Sequence, residues 1–372
     1  VIATEPIAGR VDSPVERVGV AAYTLPTDAP ESDGTLEWQS TTMVVVEVDA
    51  GGERGLGYTY SDVASARLVE SKLAAVVEGA DAMAVPAAWQ AMVVAIRNLG
   101  RPGISSAAIA AVDVALWDVK ARLLDLPLAT LLGSVHQSVP VYGSGGFTSY
   151  DPGRLQAQLG AWVERGIPRV KMKVGRRPGD DPARVRAARR AIGDDAELFV
   201  DANGAYARKQ ALELAEAFAE EGVTWFEEPV SSDDLEGLRL LRDRAPSGMA
   251  IAAGEYGCDL PYFRRMLEAA AVDVLQADVT RCAGITELLR VGALCAAHSI
   301  PLSAHTAPSI HAHACCAIER LAHVEYFHDH VRIEERLLDG VVTPVDGRLR
   351  PDRSRPGLGL ELKRADAERY LA

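Results

Sequence analysis

Leu198-Phe199-Val200-Asp201, Val223-Thr224-Trp225-Phe226-Glu227 and Met249-Ala250-Ile251-Ala252-Ala253-Gly254-Glu255 are three apolar runs that each finish on an acid, at similar intervals along the chain. The gaps between them hold amphipathic, helix-patterned segments. Short apolar strands alternating with such helices are the pattern of successive β/α units around a parallel sheet. Each acid therefore falls where a buried strand ends, and Asp201, Glu227 and Glu255 are expected to converge. Left alone, three adjacent carboxylates repel and raise one another's pKa. A hard divalent cation with oxygen ligands resolves that conflict, and Mg²⁺ is the expected ion.

The same alternation extends in both directions. Strands are expected at 139–143, 169–174, 197–201, 223–227, 249–253, 272–276, 300–303 and 323–326. Eight are enough to close a (β/α)₈ TIM-type barrel, which takes about 250 residues and leaves roughly a hundred of this 372-residue chain for a second unit. The division that follows is an α+β domain over residues 1–135, the barrel over 136–335 and a Pro-, Gly- and Arg-rich segment over 336–372 that folds back onto the N-terminal unit. Residues 1–13 read as an aperiodic arm. Strands follow at 15–24 and 41–48, then a hairpin return at Gly55-Leu56-Gly57-Tyr58, and helices at 64–78, 86–98 and 105–124. Ser105 or Ser106 is expected to cap the last of these, and Asp180-Asp181 and Asp233-Asp234 to cap barrel helices. The polar stretch Pro26 to Glu37 reads as a long loop, either disordered or a working lid.

Composition narrows the functional classes. With 39 basic against 52 acidic residues the formal net charge is −13, which disfavours nucleic acid and anionic membrane surfaces as partners. No apolar run reaches the roughly 20 residues of a membrane span. The five cysteines, Cys258, Cys282, Cys295, Cys315 and Cys316, include no zinc-type C-x-x-C pair and read as reduced, buried thiols, which points to the cytoplasm.

More chemistry sits at the other strand ends. Lys171 and Lys173 are two apart on the second strand and so face the same way; at a barrel mouth each cation would lower the other's pKa and favour a neutral amine base. Such a pair also occurs as two solvated surface lysines. Asp278 follows the sixth strand and His305 the seventh, and a carboxylate beside an imidazole fixes its tautomer for acid or base work. Glu325 on the eighth strand is a further acid at the same mouth, or else a salt-bridge partner. His311-x-His313 and His328-x-His330 resemble zinc-ligand pairs of barrel hydrolases, but the first lies in a helical pattern where residues two apart diverge.

With these residues in place the sequence resembles the enolase superfamily, and within it the mandelate racemase subgroup, over nearly its whole length. The motifs are Ala111-Val112-Asp113-Val114-Ala115-Leu116-Trp117-Asp118 with Leu131-Leu132-Gly133, Lys171-Met172-Lys173, Asp201-Ala202-Asn203-Gly204, Glu227-Glu228-Pro229, Gly254-Glu255, Gln276-Ala277-Asp278, Gly284-Ile285-Thr286-Glu287, His305 and Glu325. The resemblance implies an enolase-like barrel with a capping domain built from the N-terminal region and the C-terminal tail, whose loops at 23–37 and 57–62 close over the mouth. It implies Mg²⁺ on Asp201, Glu227 and Glu255, Lys173 as base on one face of the substrate, and His305 with Asp278 on the other. Glu325 and Lys171 would hold the substrate carboxylate, and Asn203 and Tyr23 would line the site. Gly254-Glu255-Tyr256 replaces more polar residues common in the subgroup, which bears on the substrate rather than the metal. The implied chemistry is removal of the proton beside a carboxylate through an enediolate whose charge a metal ion stabilises. Dehydration of a sugar acid is the leading outcome. Racemisation or epimerisation of a 2-hydroxy or amino acid, sugar-lactone cycloisomerisation, and a non-catalytic metal- and ligand-binding barrel are the alternatives. The subgroup's habit implies a homo-oligomer, from dimer to octamer.

Overall fold

The computed structural model describes residues 13–372; apart from Ser13, the aperiodic arm expected over residues 1–13 lies outside them. Among the described residues, eight parallel strands close into one barrel: Val139–Gly145, Arg169–Lys173, Glu197–Asp201, Val223–Glu227, Ala250–Ala253, Val274–Ala277, Leu302–Ala304 and Leu321–Phe327. Closure is made by the eighth strand on the first, with Val324 opposite Val141 and Glu325 opposite Tyr142. The registers put Lys173 beside Asp201 and Asp201 beside Glu227, so neighbouring strands deliver their last inward residues to one level. Beneath that level Tyr142, Phe199 and Trp225 fill the barrel with Ala252 and Val274, and His323 packs against the three rings. That aromatic layer is the floor of the mouth.

The cap begins with an antiparallel sheet of Val15–Ser32, Glu37–Ala50 and Glu53–Tyr60 in sequential order. Helices Val85–Ala95 and Ile104–Leu123 follow, preceded by a helical stretch from Val63 to Val77 with a π turn at Val69–Leu73. The long helix Ile104–Leu123 lies directly on the third cap strand. A Cβ at Gly55 would sit 2.2 Å from the Ala115 carbonyl oxygen, and one at Gly57 would sit 2.2 Å from that of Ala111. Only glycine permits this backbone-to-backbone approach.

Three local expectations are corrected. Pro26 to Glu37 is not a long loop: the first strand runs on to Ser32, opposite Glu37, and only Asp33–Leu36 turn. Its prolines are tolerated because this is an edge strand, where a missing N–H costs no ladder bond. Neither Ser105 nor Ser106 caps the long helix, whose N-cap is Gly103; Ser106 Oγ instead donates to the Arg101 carbonyl at 2.8 Å. Asp234 does cap its helix, accepting from Gly237 N at 3.0 Å, but neither carboxylate of Asp180-Asp181 caps. Asp181 accepts from Gly175 N and the Tyr206 hydroxyl instead.

The C-terminal segment touches both units. Arg348–Leu349 pairs antiparallel with the start of the first barrel strand, and Ala372 N donates to the Ala22 carbonyl of the cap sheet at 2.9 Å. Buried carboxyls also join cap to barrel: Asp113 of the long cap helix accepts from Thr286 N and Oγ1 at 2.9 and 2.6 Å. Glu334, in the helix after the eighth strand, accepts from Tyr58 of the cap at 2.6 Å and from Ser309.

Candidate active site

Strand ends place Asp201, Glu227 and Glu255 together, with one carboxylate oxygen of each inside a 4.8 Å group, all three buried. Both lysines of the second strand reach into it. Lys171 Nζ lies 2.5 Å from Glu227, 2.9 Å from Glu325 and 3.4 Å from Asp201. Lys173 Nζ lies 2.5 Å from Asp201. From the other side His305 Nδ1 meets Asp278 at 2.8 Å, while its Nε2 faces Glu255 at 3.3 Å and Glu325 at 3.6 Å. Asn203 N donates to Asp201 at 2.9 Å, and the Asn203 side-chain oxygen has no protein partner.

The electrostatics follow from burial plus crowding. Burial alone would depress both lysines, yet the surrounding carboxylates outweigh it and hold both above the ordinary value. The mutual lysine repulsion expected from the sequence is present at Lys173, but it is smaller than the pull of Asp201. Among the acids, burial pushes up while the lysines pull down. Glu227 ends well above its ordinary value, through burial and the Asp201 charge, whereas Asp201 is held well below by Lys173 and Lys171 despite burial. Glu325 falls to about 2 despite burial, because Lys171, His305 and Lys173 surround it. Asp278, likewise buried, is held low by His305 and Arg281.

The residues present fit a divalent cation. The donors are three hard carboxylates, Glu255 Oε2 is a buried oxygen without a hydrogen-bond donor, and burial together with the neighbouring Asp201 charge raises Glu227, a cost that a shared cation would relieve.

Of the site residues expected from sequence, Tyr23 stands apart from the others. It is buried in the cap sheet opposite Met43 and bridges Leu371, with Glu47 and Arg364 as its charged neighbours. The zinc-hydrolase reading of the first histidine pair is overturned as well. His311 uses both ring nitrogens on backbone, Nδ1 on the Thr306 carbonyl at 2.7 Å and Nε2 on Val279 N at 3.1 Å.

Several contributors were not anticipated. The Trp225 indole donates to Glu227 Oε2 at 3.0 Å, so the barrel floor orients a carboxylate. Gln276 is buried with both amide atoms unpartnered, and Glu228, at φ 37°, carries an unpartnered Oε1. Arg281 Nη1 reaches Glu255 at 3.1 Å and its guanidinium lies over the Tyr256 ring at 5.2 Å. Period-two spacing, as between Gln276 and Asp278, was the available signal for some of these. The tip of the cap hairpin also rests on the rim: a Cβ on Gly34 would lie 2.3 Å from the Ala202 carbonyl oxygen and 2.8 Å from that of Val174.

A closed parallel barrel with acids, lysines and a histidine–aspartate pair at the carboxyl ends of its strands, under an α+β cap, defines an enolase-type enzyme. Residues 154–367 match the enolase C-terminal domain-like family model, and residues 21–133 match that of the mandelate racemase/muconate lactonizing enzyme N-terminal domain. The chain belongs to the mandelate racemase/muconate lactonizing enzyme family of the enolase superfamily, and is a lyase or isomerase of that type. It is 32% identical over 364 residues to the 3,6-anhydro-alpha-L-galactonate cycloisomerase of Streptomyces coelicolor, covering 94% of this chain and 98% of that enzyme. The crystal structure of a mandelate racemase/muconate lactonizing enzyme-like protein from Rubrobacter xylanophilus superposes with a TM-score of 0.95 at 64% identity, over 96% of this chain and 100% of that one. That of L-talarate/galactarate dehydratase from Salmonella typhimurium, liganded with Mg and L-lyxarohydroxamate, does so with a TM-score of 0.87 at 27% identity, over 100% and 97%.

Proposed function

We propose that this protein is a Mg²⁺-dependent dehydratase of a small polyhydroxy carboxylate, a sugar acid, working through an enediolate. The observation that carries the reading is the placement of Lys173 and the His305–Asp278 pair on either side of the three-acid cluster, each in contact with it. Asp201, Glu227 and Glu255 would hold the ion, which when bound supplies a Lewis acid for the substrate carboxylate and a counter-charge for the acids. Lys171, buried among Glu227, Glu325 and Asp201, keeps its proton and stabilises charge that builds on that carboxylate. Lys173 takes the α-proton as the neutral amine; the Asp201 charge that holds its pKa up is the charge a bound ion would offset. His305, oriented through Nδ1 by Asp278, gives its Nε2 proton to the β-hydroxyl, which departs as water. The enol left behind tautomerises to the 2-keto acid. Unpartnered polar atoms on Asn203, Gln276 and Glu228 are suited to a hydroxylated substrate.

The sugar-acid names of two relatives support the substrate class. The same proposal assigns residues 1–135 and 336–372 to the cap and 136–335 to the chemistry. The test is incubation with a library of aldonic and aldaric acids, following 2-keto product with semicarbazide and α-proton exchange in D₂O. Keto product from a sugar acid supports dehydration. Exchange without keto product replaces it with racemisation or epimerisation, consumption of a sugar lactone with cycloisomerisation, and no exchange on any acid with a binding role.

A further inference from the structure

A second group of cation-type ligands lies between cap and barrel, sharing no residue with the strand-end cluster: Asp28 and Glu31 of the first cap strand, and His328 just past the eighth barrel strand. One ligand atom of each falls within 4.8 Å of the others. His328 Nε2 and Asp28 Oδ2 are 3.1 Å apart. Two donors bound at about 2.1 Å to one ion stand about 3.0–3.4 Å apart, so this pair already has the spacing of neighbouring ligands.

Glu31 is the independent observation. It is fully buried, its Oε2 accepts from the Trp38 indole at 2.9 Å, and its Oε1 has no partner. A buried carboxylate oxygen without a donor is costly, and in this three-residue group a bound cation would supply the missing partner. Surrounding charge does not supply one. Among these acids Arg154 reaches Asp28 Oδ1 alone, at 3.3 Å, while Arg332 bonds Asp329 through Nη2 at 2.5 Å and makes no hydrogen bond to Glu31, leaving three acids for two guanidiniums. The first strand breaks register between Pro26 and Glu31, which is how Asp28 and Glu31 both come to bear on His328. His328 is also the histidine left over from the sequence pattern His328-x-His330, whose other member stacks on Tyr60 with ring centroids 3.4 Å apart.

We propose that Asp28, Glu31 and His328 form a second divalent-cation site that ties the first cap strand to the barrel. One imidazole nitrogen with two carboxylates favours a first-row transition ion such as Zn²⁺ over Mg²⁺, which rarely takes imidazole.

The test uses the full chain equilibrated with micromolar Zn²⁺ under excess Mg²⁺, which competes for the all-oxygen cluster, followed by elemental analysis after removal of free ion. The parent should retain one Zn²⁺ per chain. Asp28→Asn and His328→Asn should lose it with unchanged far-ultraviolet circular dichroism, and Glu227→Gln should keep it. Asp28→Asn, at a part-exposed side chain, guards against a folding failure of the other variant. No retained Zn²⁺ in the parent, equal retention in both cap–barrel variants, or loss with Glu227→Gln each overturns the proposal.

Discussion

Replacing Gly34 by alanine puts a methyl carbon 2.3 Å from the Ala202 carbonyl oxygen, 2.8 Å from that of Val174 and 2.9 Å from the Ala205 methyl, where ordinary contact begins at 3.4 Å. The hairpin tip must lift by about 1 Å, because the rim cannot recede: Ala202 N is bonded to the Glu227 carbonyl and Val174 N to that of Asp201. Resistance comes from the tip's own bonds, Thr148 N to the Ser32 carbonyl and Thr148 Oγ1 to that of Asp33, both 2.8 Å. An overpacking penalty of about 1–3 kcal/mol is expected as a lowered urea midpoint. A misplacement of about 1 Å beside a reacting centre costs up to about 100-fold, so kcat/KM for the sugar acid identified by screening should fall roughly 10- to 100-fold. KM should carry most of it, since Lys173, His305 and the acids keep their places. Gly248→Ala is the control, at a position with nothing within 4 Å of the added carbon. If Gly34→Ala matches the control in both urea midpoint and kcat/KM, the tip does not seat on the rim and the reasoning fails.

His305→Asn should still exchange the α-proton in D₂O while releasing little 2-keto acid, whereas Lys173→Ala should lose exchange; the opposite pattern would reverse the assignment of faces. Asp278→Asn should show a milder form of the His305→Asn defect, visible as a lower keto-acid yield per exchange event. Burial raises Glu334 from 4.5 to about 7 despite the bonds from Ser309 and Tyr58. Its folded pKa exceeds its unfolded one, so its stabilisation is complete below about pH 4.5 and is lost as pH rises through about 7, by of order 3 kcal/mol. Urea midpoints at pH 5 and pH 7.5 should therefore differ less in Glu334→Gln than in the parent, and equal slopes would contradict this. Mg²⁺ titrated into chelator-treated protein should raise the melting temperature, and Glu227→Gln should abolish most of the rise.

The barrel was legible because short strand-patterned runs alternate with helix patterns, and several of them finish on a charged residue, so that Asp201, Glu227 and Lys173 mark both an element's end and a site's beginning. The cap was less so. Pro26 and Pro30 read as breakers, and only the edge position of their strand, a fact of pairing and not of local sequence, makes them compatible with it. No site role was legible for Trp225 or Gln276, because what they face depends on barrel closure. Lys171 and Lys173 were expected to lower each other's pKa, but a strand pattern cannot show that the charge nearest Lys173 is Asp201, one strand over.

The backbone contact of Gly55 and Gly57 with the helix Ile104–Leu123 has a mechanical consequence. At these two positions helix backbone and the Cβ atoms of Val114 and Val119 lie directly on strand backbone, which leaves no flexible side chain to absorb a slip and makes sheet and helix one plate. The plate meets the barrel at its margins, where Asp113 accepts from Thr286 and Tyr58 donates to Glu334, and the four-residue turn Asp33–Leu36 projects beyond those joints. Apart from Gly34, whose seat on the rim admits no side chain, the turn's residues lie away from the joint that keeps the plate flat, so they can change without loosening it.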